Sequence, residues 1–407
     1  CPMLQALVRN DMIAAHNLPL GVYSHLLRCS PKPLLSACGL KTDHDPRLRG
    51  CAVNNVTLSS APPVVELDPG TGLLRYLPLS ADIAFLRGTA ADEMGNISLS
   101  EEAVVADILA QAYFVHGHGG KVYFQVKRCV SSELASVDVP GCLVDGICIV
   151  SDDDLHWQTF AGKQAEAALR SRQKDTIELS SMVWPELKGG RRHVAARASE
   201  EIKRGEIVNL GLGVPERVAQ VLHEKGKLAE ITLSTEAGTI GGIPLSGFQF
   251  GTARFPDCVI PTATMFDMYD SGMLDVTLLG LGELDRNCVN VGKFAGRFPG
   301  VGGFANIALG ATRLVAFVGR HLADGDIEGE TSAKFVKQVE SVSVNLNETK
   351  AEKIMIITDQ CVLQWFREPK KIKLLEVHGR KVQDVVDSLP FEVDTVDCVE
   401  RKYSLRA

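Results

Sequence analysis

Short apolar runs recur along the chain at VVELD, LLRYLPL, DIAFL, KVYFQV, EIVNL, EITLS, DVTLLG, RLVAFVG and KIMIIT, rich in β-branched and aromatic residues. Each is too short for a helix and is bounded by Gly, Pro, Asp or Ser, so each reads as a strand. Helical patterns lie between them. SLSEEAVVADILAQAY opens at Ser98 with Glu101 three residues on, the spacing of a capping box, and Gly117 and Gly119 stop it. PERVAQVLHEKG has Pro215 at its first position and Gly226 just past its end. Strands alternating with helices predict an α/β fold whose sheets are mainly parallel. The last part, from ESVSVNLNETK to QWFREPKKIKLLEV, alternates with polar turns and reads as an antiparallel ribbon.

Two of the runs align without a gap: DIAFLRGTAAD from Asp82 to Asp92, and DVTLLGLGELD from Asp275 to Asp285. Each is an apolar strand, a turn of small residues and an aspartate. This spacing predicts two related open α/β lobes, 1–190 and 191–407, divided where a polar stretch gives way to a new helix and strand in RASEEIKRGEIVNLGLG. A length of 407 residues suits two such units.

Composition narrows the class. With 45% hydrophobic residues and 37 Gly, the chain has the make-up of a soluble α/β enzyme. The net charge of −7, with short basic clusters interrupted by acids, gives no stripe for nucleic acid. No apolar stretch approaches the roughly 20 residues of a membrane span. The 11 cysteines are odd in number and lack metal-ligand spacing, which points to reduced thiols and an intracellular protein of the cytoplasm or mitochondrial matrix. The chain opens on Cys1, which reads as an internal start.

Candidate chemistry is concentrated in a few places. Gly211 and Gly213, in GLGVPE, sit between a strand and a helix where the backbone can approach an anion, although Glu216 occupies the third glycine of a dinucleotide fingerprint. Gly300, Gly302 and Gly303, in GVGGF, can aim backbone N–H groups at an oxyanion, with Lys293 and Arg297 close by in KFAGR. His116 and His118 lie among the glycines that end a helix and have no partner ligands near in sequence, so no metal site is expected. Glu236 is the sole charged residue between Ile231 and Ala253, at the end of a strand and followed by Ala237 and Gly238. A carboxylate there is a base, a ligand or a nucleophile, or else an ordinary loop residue.

The segments STEAGTIGGIPLSGFQFG (234–251), FDMYDSGMLD (266–275) and GVGGF (300–304) resemble the second half of family I coenzyme A transferases, of the acetate/propionate type. NLPLGV (17–22), DPRLRG (45–50), DIAFLRGTAADEMGN (82–96) and VDVPGCLVD (137–145) are similar to the first half. The resemblance implies fused α and β halves with the active site in the cleft between them. It implies ping-pong transfer of CoA between short-chain carboxylic acids, through an acyl-glutamyl anhydride and a glutamyl-CoA thioester on Glu236. Gly300, Gly302 and Gly303 would form the oxyanion and CoA-binding loop, Gly211, Gly213, Gly238, Asn17 and Leu20 the substrate cleft, and Lys293 and Arg297 contacts to the CoA phosphates. CoA enters as a substrate, no metal or redox cofactor is implied, and the enzyme is expected to self-associate. Family members carry further strand–helix units ahead of residue 10, so the first lobe is expected to be incomplete at its N-terminus and to expose apolar surface. Leu20 stands where the family has a polar Gln, and Lys41 and Asp43 replace a small and an aromatic residue. These departures keep open a second reading, a catalytically impaired homologue that binds CoA or a partner.

Overall fold

Buried strands with no polar alternation build the centre of the molecule. Val276–Gly280 and Leu314–Val318 are almost wholly buried, as strands covered by helices on both faces must be. In the computed structural model, which describes residues 2–131, 133–152, 155–159, 161, 167–169, 184, 186–293, 297–324 and 331–401, they form the middle of a ten-stranded sheet. Five parallel neighbours run in the order Thr232–Ser234, Ile207–Leu210, Val276–Gly280, Leu314–Val318, Lys353–Ile357. Antiparallel strands extend both sides, including the hairpin Cys361–Phe366 with Lys371–His378. The ribbon expected in the last part is this hairpin.

A four-stranded sheet holds the earlier repeat. Ile83–Asp92 pairs in parallel with Lys121–Val130, which pairs in parallel with Gly146–Ile149, and Ile97–Ser98 adds an antiparallel edge. One face packs beneath the helix Ile108–Gly117, and the other exposes Phe85, stacked on Tyr123 with ring centroids 5.8 Å apart. The fold is thus the mixed α/β arrangement with mainly parallel central sheets that the alternation predicts.

Two expectations need correction. VVELD and LLRYLPL are strands, but they pair with each other, and LLRYLPL also with Leu34–Ser36, in a separate three-stranded antiparallel sheet. The helix expected from Ser98 begins at Ile108 instead. Ser98 is buried in the edge strand opposite Ala90, and Glu101 turns outward to Arg128 at 2.7 Å. Glu102 is drawn inside by Arg87 and His156. Tertiary pairing of these side chains outweighs the local cap. The second predicted helix is Arg217–Glu224, starting two residues after Pro215. It closes as expected on Gly226, at φ 68°, with the Lys227 N–H donating to the Leu222 carbonyl.

The two parts of the chain share a core. Val22, Leu26, Leu74 and Tyr76 pack in the same apolar cluster as Phe266, Leu279 and Phe317. The helix Leu20–Cys29 lies against Thr262–Asp270, and Asp107 ties three elements there: its carboxylate accepts from Ser24 Oγ at 2.6 Å and from the Ala263 N–H at 3.0 Å. This packing sets the start of Leu20–Cys29 against the glycine-rich turn at 300–303.

Candidate active site

Glu236 stands on a turn that leaves its strand and immediately doubles back. The Thr235 N–H donates to the Thr239 carbonyl at 2.9 Å, and the Gly238 N–H to the Thr235 carbonyl at 3.1 Å. Gly238 has φ 108°, and a Cβ there would overlap the Ile260 carbonyl, so only glycine closes the turn against its neighbour. Beneath it, the Ser234 and Tyr269 hydroxyls lie 3.0 Å apart, and Asn209 Nδ2 donates to Tyr269 Oη at 3.3 Å. This buried polar floor fixes the strand end that carries Glu236.

The glycine-rich turn arrives from the opposite side. Gly300 and Gly302 have φ of 83° and 53°, conformations L side chains rarely adopt. The Gly303 backbone packs directly against the Glu236 carboxylate, close enough for its N–H to favour the ionised form. A Cβ on Gly303 would overlap Glu236 Oε2 and crowd the Phe266 ring. Burial pushes the Glu236 carboxyl up to about 7, and the Gly303 N–H acts against that rise by favouring the ionised form. Residues 67 apart in sequence thus meet at one carboxylate.

The first part of the chain holds the turn from behind. Asn17 Oδ1 accepts from the Val301 N–H at 3.1 Å, the Leu20 N–H donates to the Gly302 carbonyl at 2.8 Å, and the Gly21 N–H donates to Asn306 Oδ1 at 3.1 Å. Leu20 therefore reaches the site through its backbone, and its side chain packs on the shared core. Lys41 and Asp43 make contacts elsewhere: Lys41 Nζ lies 2.7 Å from Glu348, and Asp43 accepts from Ser341 Oγ at 2.6 Å.

A cleft of about 400 Å³ opens above Glu236, within the usual range for small-molecule sites. Gly211, Gly300, Gly302 and Gly303 line it with Glu236. Gly213 lines an adjoining pocket of about 380 Å³, at the carboxyl ends of the same parallel strands, where open α/β sheets bind ligands. Arg191, Arg217, Arg320 and Lys334 also border that pocket. These four basic residues escape a sequence reading because they come from separate elements and share no motif. Phe250, Leu212 and Leu281 of the cleft escape it because apolar residues there look like core. Lys293 and Arg297 line neither space: Lys293 Nζ sits 3.8 Å from Glu340 and over the Phe298 ring, beside a smaller pocket with Asn17 and His44, and Arg297 is exposed.

His118 Nδ1 lies 2.7 Å from the Phe114 carbonyl, the end of an ordinary helix. Among the described residues no group of three or more His, Cys, Asp or Glu is arranged to hold a metal ion, and no helix is long and apolar enough to cross a membrane.

No family model matches the chain. It is 34% identical over 412 residues to the caffeate CoA-transferase of Acetobacterium woodii, across 95% of this chain and 77% of that protein. The chain belongs to the family I coenzyme A transferases. It is 32% identical over 323 residues to the acetate CoA-transferase YdiF of Escherichia coli K12, covering 77% of this chain and 59% of that one. A crystal structure of the acyl-CoA transferase YdiF of E. coli O157:H7, in a thioester complex with CoA, superposes with a TM-score of 0.84 at 26% identity, covering 98% of this chain and 78% of that one. The protein is accordingly an enzyme, a CoA-transferase.

Proposed function

We propose that this CoA-transferase works by a ping-pong mechanism in which Glu236 is the covalent acyl acceptor, moving CoA between short-chain carboxylic acids. The observation that carries this reading is the Glu236 carboxylate packed against the Gly303 backbone in one cleft. A desolvated carboxylate is a stronger nucleophile than a hydrated one, and Ala237 and Gly238 crowd it little.

Its oxygen attacks the thioester carbonyl carbon of acyl-CoA, the C–S bond breaks, and CoA thiolate leaves an acyl-glutamyl anhydride. The thiolate then attacks the glutamyl carbonyl, expelling the first carboxylate and leaving a glutamyl-CoA thioester. An incoming carboxylate attacks that thioester, releasing thiolate and forming a second anhydride. Attack of thiolate on its acyl carbon gives the new acyl-CoA and frees Glu236. Each step exchanges groups at an acyl carbon and calls for no electron transfer.

The Gly303 donor suits this sequence in a specific way. The carboxylate oxygen packed against Gly303 becomes the glutamyl carbonyl oxygen, and attack at that carbon turns it into an oxyanion beside the Gly303 N–H. One such donor is worth about 3 kcal/mol in the transition state. Arg191, Arg217, Arg320 and Lys334, beside the cleft, are better placed for CoA phosphates than Lys293 and Arg297. Relatives named for acetate and caffeate fit carboxylate acceptors.

The test is chemical trapping. After incubation with an acyl-CoA and then hydroxylamine, mass spectrometry should place the modification on Glu236 and find none in Glu236→Gln. Turnover with a modification elsewhere, or none, would overturn the assignment.

A further inference from the structure

A second cavity, of about 190 Å³, lies on the Asn17 side of the glycine-rich turn and shares only Gly300 with the cleft among the described lining residues. It suits a ligand of a few carbon atoms. Arg49 borders it, and its guanidinium donates to carbonyls rather than to a carboxylate, Nε to Ala52 at 3.1 Å and Nη2 to Val53 at 3.3 Å. Lys293 adds a second positive charge. The acid in the wall, Asp43, is already engaged by Ser341 Oγ at 2.6 Å and the Val342 N–H at 3.2 Å. Two histidines also line the space, and His16 Nδ1 and His44 Nε2 are buried without hydrogen-bond partners.

The tautomer of His44 follows from its neighbour. Thr42 Oγ1 gives its one proton to the Gly39 carbonyl at 2.7 Å, so at 2.8 Å it accepts from His44 Nδ1. Burial holds the ring down at about 4, which leaves Nε2 a bare lone pair at neutral pH. A buried acceptor of this kind calls for a donor, which an anion alone does not bring. Two cations, a lone-pair acceptor and the apolar side chains of Leu4, Val8 and Phe298 together match a small acid that also carries a hydroxyl.

We propose that this cavity is a regulatory site for a small hydroxycarboxylic acid, separate from the cleft, and that its occupancy acts on the glycine-rich turn through Asn17. Asn17 lines the cavity while its Oδ1 accepts from the Val301 N–H at 3.1 Å and its own N–H donates to the Cys51 carbonyl at 2.8 Å. A ligand packed against Asn17 and Gly300 binds the anchored turn better than any other arrangement of it, and so favours that arrangement. Acylation should then speed up, a consequence that rests on the assignment of Glu236 as acyl acceptor.

Calorimetry with 2-hydroxybutyrate and with butyrate, which has the same carbon chain and no hydroxyl, tests the site directly. The hydroxy acid should show two binding events per chain, one in the cleft and one in the cavity, and the cavity event should be at least about fivefold weaker for butyrate. His44→Val should abolish that difference, and Arg49→Met should weaken the cavity event at least about tenfold for both acids. Neither substitution should alter the cleft event. At saturating acyl-CoA, where competition in the cleft is overcome, 2-hydroxybutyrate should raise the single-turnover rate of CoA release at least about fivefold in the parent and not in Arg49→Met. A single event for the hydroxy acid, or a second event that neither substitution changes, overturns the site. A second event with an unchanged rate overturns its regulatory role. Hydroxylamine trapping on the same preparations separates these claims from the one beneath them, since turnover without label on Glu236 sinks the acyl-acceptor reading and leaves the calorimetric result standing.

Discussion

The Leu20 N–H donates to the carbonyl of Gly302 at 2.8 Å, and the other end of that same peptide, at Gly303, packs against the Glu236 carboxylate. A trans peptide points its C=O and N–H in opposite directions. Anchoring the carbonyl on one side therefore aims the N–H on the other, and an amide in the first part of the chain orients a donor in the second. Leu20→Pro isolates this relationship. Leu20 is the first helical residue, where proline is tolerated, and Pro19 already has ψ 138°, the conformation a following proline requires. The variant should keep its fold and lose about tenfold in kcat, the worth of one hydrogen bond, with little change in KM for acyl-CoA. An unchanged kcat in a folded variant would show that the Gly302 carbonyl needs no anchor.

Glycine matters at 303 and 302 for different reasons. At Gly303 a methyl group would overlap the Glu236 carboxylate itself, whereas at Gly302 it would stand 3.9 Å from Oε1, in ordinary contact, at a cost in backbone strain from φ 53°. Gly303→Ala should cut single-turnover acylation by at least about 100-fold. Gly302→Ala should act mainly on stability, by about 1 kcal/mol. Equal kinetic damage from both would argue that the turn works as a flexible whole.

How much of this could be read from residues alone depended on what each contact is made of. Continuous buried runs such as VTLLG and LVAFV declare parallel strands because both faces must be apolar. The false helix start at Ser98 shows the opposite case. A sound local signal yielded to a buried Glu102 that pairs with Arg87 and His156, partners 15 and 54 positions away. Glu236 and the 300–303 turn stood out as an isolated carboxylate and a glycine cluster, but their meeting was an implication of family resemblance. The Leu20 contact was beyond reach, since a backbone amide donates whatever side chain it carries, and position 20 drew notice only for lacking a polar one.

Asn17 tests the same coupling with a side chain. Its Oδ1 accepts from the Val301 N–H at 3.1 Å, and its own N–H is bound to the Cys51 carbonyl at 2.8 Å, so the residue is fixed at both ends. Asn17→Ala removes the acceptor and should lower kcat about tenfold, while Asn17→Asp keeps an oxygen there and should recover most of the loss. Failure of Asp to rescue would assign the effect to the Nδ2 group instead.

The pH dependence follows from the direction of the Glu236 shift. With the free-enzyme carboxyl near 7, kcat/KM should rise about tenfold per unit below pH 7 and level off above it. Stability should run the other way. The folded value lies above the ordinary 4.5, so between 4.5 and 7 the unfolded chain releases its proton while the folded one keeps it. The folded state thus loses ground as pH rises through that window. Glu236→Gln has no such proton, and urea unfolding should find its advantage over the parent growing from pH 4.5 to pH 7, to a ceiling of about 3 kcal/mol. A parent and variant that differ by the same amount at pH 5 and pH 8 would place the carboxylate in water.

Glu376, a buried carboxylate away from the cleft, should respond with the opposite sign. Burial would raise Glu376, but His378 and Arg197 together hold it down at about 2. Arg197 grips it with two hydrogen bonds, Nε to Oε2 at 2.9 Å and Nη2 to Oε1 at 2.8 Å, joining the helix Gly189–Ser199 to the strand Lys371–His378. Because the folded value lies below 4.5, this contribution is complete above that pH and is lost as pH falls toward 2. Arg197→Met leaves a buried carboxylate without its main partner and should cost about 3–5 kcal/mol at pH 7. Adding Glu376→Leu removes the stranded charge, so the double variant should recover most of that loss and unfold less steeply in acid than the parent. Urea titrations of the three proteins at pH 7 and pH 3 measure both effects. A double variant no more stable than Arg197→Met would mean that packing around the guanidinium, rather than the ion pair, holds helix to sheet.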